Sequence, residues 1–246
     1  MPSLCRNLCR TFLLLAALPA CRLEAQTPPP PAHVLFIGNS LTYFNGMPDL
    51  MVTVARSVGD TGISVAMVAM PDYAILDHWQ EGSALRELRT KRWTHVVLQQ
   101  GPSSQQEGAD WLMEGMRHFA PVVRAAGAEP VLFMVWPQRS RPDDFDGVKQ
   151  HYREAAALVH GIFAPVGDAW VAAFDDDPAA PLYGPDGLHP SREGSYLAAV
   201  VLLARLRDTD PRTLPPSIPG SSLGEAQVRA LQRAAVEALE RNPARP

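Results

Sequence analysis

Val34-Leu35-Phe36-Ile37-Gly38-Asn39-Ser40-Leu41-Thr42 opens the ordered pattern of the chain, and its reading decides the fold. Four apolar residues in a row, stopped by a glycine, suit a strand buried on both faces, as in a parallel sheet. Four more runs follow: Ile63 to Ala69, Val96 to Leu98, Val131 to Val135 and Ile162 to Val166. Helical patterns fall between them, over Pro48 to Ser57, Ile75 to Thr90, Ala109 to Ala126 and Asp146 to His160. The alternation predicts a three-layer, doubly wound (flavodoxin-like) parallel sheet of about five strands in the order 2-1-3-4-5. Two further helices are expected, over Ser191 to Arg207 and Ser222 to Arg241, the second opened by a Ser222-x-x-Glu225 capping box.

Before this pattern the chain changes character. Arg6 and Arg10 precede an apolar stretch, Thr11 to Ala20, that is too short to span a bilayer. Residues 1–26 therefore read as a signal peptide, 27–32 as a proline-rich linker and 33–246 as one folded domain. Two processing outcomes stand open. Leu18-Pro19-Ala20-Cys21 resembles a lipobox, which would leave a lipidated Cys21 and an envelope-anchored protein; cleavage near Ala25-Gln26 would release a secreted or periplasmic one. Any membrane attachment would come through Cys21 alone.

Composition removes several classes of function. The 246 residues carry a net charge of −4; Arg6, Arg10 and Arg22 against Glu24 leave the first 26 at +2 and the remainder at −6. No basic stripe forms, which argues against nucleic acid as a partner. The three cysteines, Cys5, Cys9 and Cys21, all precede the domain, so it has no thiol nucleophile, thiolate metal site or disulfide framework. Neither a Walker sequence nor Gly-x-Gly-x-x-Gly is present, and no cofactor or metal is expected.

In a doubly wound sheet, ligands sit beyond the carboxyl ends of the strands. Ser40 follows the first strand at the start of a helical segment, where backbone N–H groups face a developing negative charge. A serine needs a base to take its proton. The plainer reading of Asn39-Ser40 is turn and helix capping. The base is offered by Tyr183-Gly184-Pro185-Asp186-Gly187-Leu188-His189-Pro190, where Asp186 and His189 stand three apart between glycines and prolines. That spacing lets the carboxylate hold one imidazole nitrogen and fix its tautomer. The competing reading is a tight turn in which Asp186 bonds backbone and His189 is incidental.

Gly38-Asn39-Ser40 and Asp186-Gly187-Leu188-His189-Pro190 together resemble the first and last blocks of the SGNH (GDSL-like) hydrolase family, over about Val34 to Leu206. The resemblance implies a metal-free triad: Ser40 attacks an acyl carbon, His189 is base then acid, and Asp186 orients His189. The family draws oxyanion donors from a glycine after the second strand and an asparagine after the third. Here Ala69-Met70-Pro71-Asp72-Tyr73 has no glycine, which leaves Asp72, then Tyr73, as donor beside Ser40 itself. Gln99-Gln100-Gly101-Pro102-Ser103-Ser104 has no asparagine; Ser103 stands at its place, and Gln100 is a second candidate. Glutamine-rich loops of this kind are similar to those of a branch related to bacterial carbohydrate esterases. The expected partner is a small-molecule or glycan ester, with O-acetyl removal from a glycan as the sharpest form. A lipid esterase, an acyltransferase and a non-catalytic glycan-binding envelope protein are the alternatives.

Other features take plainer readings. His78, His95, His118, His151 and His160 are expected at the surface or half-buried. Asp143-Asp144 and Asp175-Asp176-Asp177 read as solvated loop charges, with calcium the alternative. Trp136, after the fourth strand, is either a platform facing the cleft or a packing residue.

Overall fold

The computed structural model describes residues 30–246; the signal-peptide, lipobox and cysteine expectations fall on residues outside that range. Five strands form one parallel sheet in the order β2-β1-β3-β4-β5. They are β1 (Ala32–Gly38), β2 (Ile63–Ala69), β3 (His95–Leu98), β4 (Glu129–Phe133) and β5 (Ile162–Ala164). Val34 to Ile37 are fully buried because β1 lies between two strands and beneath helices on both faces. Truncating one such residue, Leu35→Ala for instance, removes roughly 2–5 kcal/mol of packing.

The helices are α1 (Ser40–Tyr43), α2 (Met47–Ser57), α3 (Ile75–Glu81), α4 (Ser83–Glu87), α5 (Gln106–Ala125), α6 (Phe145–Leu158), α7 (Val166–Asp176), α8 (Arg192–Arg207) and α9 (Glu225–Arg241). Right-handed crossovers send the chain over opposite faces as it moves outward from β1 in either direction. Accordingly α3, α5 and α6 pack in a row on one face, while α2 packs on α8 and α8 on α7 and α9 across the other.

Several element boundaries differ from expectation, each for a local reason. The Ile75 to Thr90 pattern is two helices, because Gly82 takes φ +83 and turns the chain between them. β4 begins at Glu129 and admits Pro130 as its second residue. α7 starts directly after Pro165, so strand and helix run together in the apolar pattern. α9 starts at Glu225, where the Gln227 side chain accepts from the Gly224 N–H at 3.1 Å; Ser222 is not its cap.

Candidate active site

Ser40 stands at the carboxyl end of β1, where the chain turns into α1. Three buried side chains hold the turn. Asn39 accepts from the Leu41 N–H at 3.1 Å and donates to the Tyr73 carbonyl at 3.1 Å. Gln99 Oε1 accepts from the Asn39 N–H at 2.9 Å and the Thr42 hydroxyl at 2.7 Å, while its Nε2 donates to Asn39 Oδ1 at 2.9 Å. The fit leaves room only for glycine at 38: a Cβ there would lie 2.5 Å from Gln99 Oε1 and 2.6 Å from Thr42 Oγ1. The capping role of Asn39 is thus real, and Ser40 carries no part of it.

His78 closes the back of the same turn. Its Nε2 lies 2.8 Å from the Gly38 carbonyl, and Nδ1 is buried with no partner among the described residues. Burial holds its pKa below the usual imidazole value, so the ring is neutral with Nε2–H donating. The surface placement expected for His78 is therefore corrected: the residue is wholly buried, because α3 folds over the end of β1.

The loop from Tyr183 to Ser191 brings Asp186 and His189 together. One Asp186 oxygen accepts from the backbone N–H groups of Leu188 and His189, at 3.0 and 2.9 Å. The other lies 2.5 Å from His189 Nδ1. The turn reading and the imidazole-orienting reading are thus shared between the two oxygens of one carboxylate. These contacts, the imidazole first, pull the Asp186 pKa down to about 2. The turn itself depends on Gly187 at φ +70, a left-handed conformation that disfavours side chains.

Long-range contacts fix this loop beside the Ser40 turn. Asn45 Nδ2 lies 2.9 Å from the carbonyls of Pro190 and Ser191 and from Ser195 Oγ. The Trp136 indole N–H donates to the Leu188 carbonyl at 2.9 Å, and the Arg139 N–H to that of Gly187 at 2.8 Å. Phe44, four residues past Ser40, stacks on the His189 ring at 4.0 Å between centroids and 12° from parallel. Leu41 and Leu188 line the same 290 Å³ cavity as Ser40, while Phe44 and His189 line a 500 Å³ cavity. No hydrogen bond joins Ser40 to His189 among the described residues; His189 Nε2 is the ring nitrogen left over from the Asp186 pair.

The candidate oxyanion groups divide. Pro71 and Asp72 form the corner of a turn closed by the Tyr73 N–H on the Met70 carbonyl at 3.4 Å. Asp72 has φ +60, the left-handed conformation that glycine favours. The N–H groups of Ser40 and Asp72 have no partner among the described residues, and both residues line the Ser40 cavity. Gln100 and Ser103 line it too, but their donors are occupied. Gln100 Nε2 donates to Ser103 Oγ at 2.8 Å and to the Gly108 carbonyl at 3.0 Å, and Ser103 Oγ donates to the Gly101 carbonyl at 3.0 Å.

Trp136 is a packing residue. It is wholly buried and stacked on Trp170 at 3.8 Å, so the reading of it as a platform is withdrawn. Asp144 pairs with Arg141 at 2.9 Å and Asp176 with Arg233 at 3.2 Å; among the described residues no metal-ligating cluster forms. The parts unforeseen in the sequence are Phe44, Asn45, Gln99 and His78. Asn45-Gly46 alone carried a visible signal, as a turn dipeptide.

No protein-family model and no curated protein matches the sequence. Solved structures do. A candidate SGNH hydrolase from Slackia heliotrinireducens is 27% identical with a TM-score of 0.60, covering 70% of this chain and 97% of that one. A DUF4886 family protein from Bacteroides uniformis has a TM-score of 0.69 at 17% identity, over 85% and 95%. An acetyl xylan esterase from Geobacillus stearothermophilus has 0.54 at 18%, over 72% and 94%. The last two speak for the fold alone. With its strand order and its 27% identity to the first of these, the chain is similar in fold and sequence to an SGNH hydrolase.

Proposed function

We propose that Ser40, His189 and Asp186 form a triad that hydrolyses a carboxylic ester. The observation that carries the reading is the Asp186–His189 contact of 2.5 Å at Nδ1, with the imidazole stacked on Phe44 beside the Ser40 turn. His189 Nε2 takes the proton of Ser40 as Oγ bonds to the acyl carbon. The carbonyl oxygen gains the negative charge, held by the N–H groups of Ser40 and Asp72. Collapse expels the alcohol, which receives the proton from His189, and leaves an acyl-serine. Water then adds by the same route, giving up its proton to His189, and the acid departs as Ser40 is reprotonated. A serine–histidine bond that is long without substrate and tightens with it is usual in such sites.

The acyl group we assign is acetyl, carried on a glycan, in keeping with the acetyl xylan esterase among the fold neighbours. The leader-like residues 1–26 support action outside the cytoplasm. A fluorophosphonate probe tests the chemistry: wild type is expected to be labelled and to turn over p-nitrophenyl acetate, and Ser40→Ala to do neither. An unlabelled, inactive wild type would leave a glycan-binding protein on the same fold.

A further inference from the structure

Of the five large apolar side chains that stay exposed among the described residues, Trp111 is the aromatic one. It is 48% exposed and lines the Ser40 cavity. Its helix does not need it for packing. α5 buries Leu112, Met116 and Phe119 on its other side, and Trp93, Trp136 and Trp170 elsewhere in the fold are almost wholly buried. An indole left open at the mouth of a reactive cavity is a surface for a flat, weakly polar ligand face.

A second cavity, of 360 Å³, continues from the first and shares Pro102, Ser103, Gly108 and Leu188 with it. Its walls are mixed, with the apolar surfaces of Pro102, Pro137 and Leu188 interrupted by polar side chains. Gln105, Gln138 and Arg141 project there from exposed positions, with Asp144 held by Arg141 at 2.9 Å and by the Ser104 hydroxyl at 2.8 Å. An aliphatic chain laid along this wall would strip water from the two amides and return nothing to them, a cost that recurs for each unsatisfied group. A ring with an apolar C–H face and hydroxyls at its rim meets both demands at once.

Taking Ser40 as the nucleophile and the glycan ester of the proposed function as its substrate, we infer that Trp111 and the wall carrying Gln105, Gln138 and Arg141 form the subsite for the alcohol half. One sugar ring stacks on Trp111, and the saccharide extends past Leu188 so that its hydroxyls bond Gln105, Gln138 and Arg141. Trp111 and this wall select the alcohol; they take no part in the bond changes at Ser40.

The test compares substrates that differ only in the alcohol. Acetylated xylotriose, mannotriose and chitotriose are set against p-nitrophenyl acetate, and p-nitrophenyl octanoate serves as the long-acyl probe. Trp111→Ala is expected to lower kcat/KM for the best acetylated trisaccharide at least 10-fold more than for p-nitrophenyl acetate, chiefly through KM. Trp111→Phe should restore most of the loss, and Gln138→Leu should give a smaller loss in the same direction. Unchanged thermal melting would confirm that the exposed indole is not a folding element. Equal losses on sugar and non-sugar esters would overturn the subsite, as would a preference for octanoate that Trp111→Ala abolishes. Those outcomes are separable from failure of the nucleophile assignment, which would appear as turnover surviving Ser40→Ala.

Discussion

The ring of Phe44 covers one face of the His189 imidazole, with centroids 4.0 Å apart and planes 12° from parallel. Phe44 is placed by the Ser40 turn and His189 by a loop some 145 residues later, so this stack ties the two halves of the site together. An aromatic face also favours the imidazolium that forms when the histidine takes a proton. Phe44→Ala should therefore lower kcat about 3- to 10-fold, the range of one aromatic contact, with little change in KM. Steady-state kinetics on p-nitrophenyl acetate would check it, and a pure KM effect would reassign Phe44 to substrate binding.

Asp186 is half exposed, yet its pKa is pulled down to about 2 by the imidazole and the Leu188 and His189 N–H groups. A depressed carboxylate keeps its charge until the pH falls to that value, so Asp186 stays ionised throughout any working range. The acid limb of kcat/KM should then carry no contribution from Asp186 and fall with unit slope; a slope of two would overturn this. Asp186→Asn preserves the turn but offers the imidazole an amide. Its loss should be on the order of 10²–10⁴, and smaller than for His189→Ala because water can reach the exposed position.

Asp72 makes a separate prediction, since the oxyanion contribution proposed for it is a backbone N–H held by an unusual conformation. With φ at +60, glycine is tolerated there and a β-branched residue is not. Asp72→Gly should keep activity within a few-fold of wild type. Asp72→Val should move the N–H and lose on the order of 10²–10³ in kcat, the usual cost of one oxyanion donor. If both substitutions are silent, the donor lies elsewhere. Gln100→Ala and Ser103→Ala bear on loop stability first, because each amide or hydroxyl hydrogen already has an acceptor.

What was legible in the chain was whatever local pattern dictates. A continuous apolar run ended by Gly38 suits a strand buried on both faces, and five apolar runs marked the strands, although β2, at the sheet edge, is only partly buried. β4 starts two residues before the apolar run, at Glu129, and takes in Pro130: a residue without an N–H argues against a central strand, yet at the second position the missing donor is tolerated. α7 was hidden because Pro165 joins it to β5 without polar punctuation. Asp186 and His189 were readable since their geometry is set within one turn. Gln99, His78, Asn45 and Phe44 were not. Each acts on a partner 40 to 150 residues away, and nothing in a buried glutamine or an interior histidine signals that distance. Trp136 and Trp111 make the same point in reverse: burial, absent from the sequence, decided which tryptophan faces the cleft.

Far from the site, Arg207 at the end of α8 grips Asp60 in the connection between α2 and β2. Its Nε lies 2.6 Å and its Nη2 3.0 Å from the two carboxylate oxygens. The arginine side chain is only 4% exposed, so its charge has little water to fall back on. The bond from Arg207 is the main reason that the Asp60 pKa is lowered. A carboxylate with a lowered folded value stabilises the fold above its unfolded pKa of about 3.9, and that stability is lost as the pH falls through the folded value. Asp60→Asn should cost roughly 1.5–3 kcal/mol at neutral pH, since it leaves a nearly buried guanidinium without its counter-charge. The difference between variant and wild type, measured by urea unfolding, should shrink below about pH 4, where wild type too begins to lose the ion pair. A gap that stays constant down to acid pH would mean that shape and hydrogen bonding, and not charge, hold α8 to this corner.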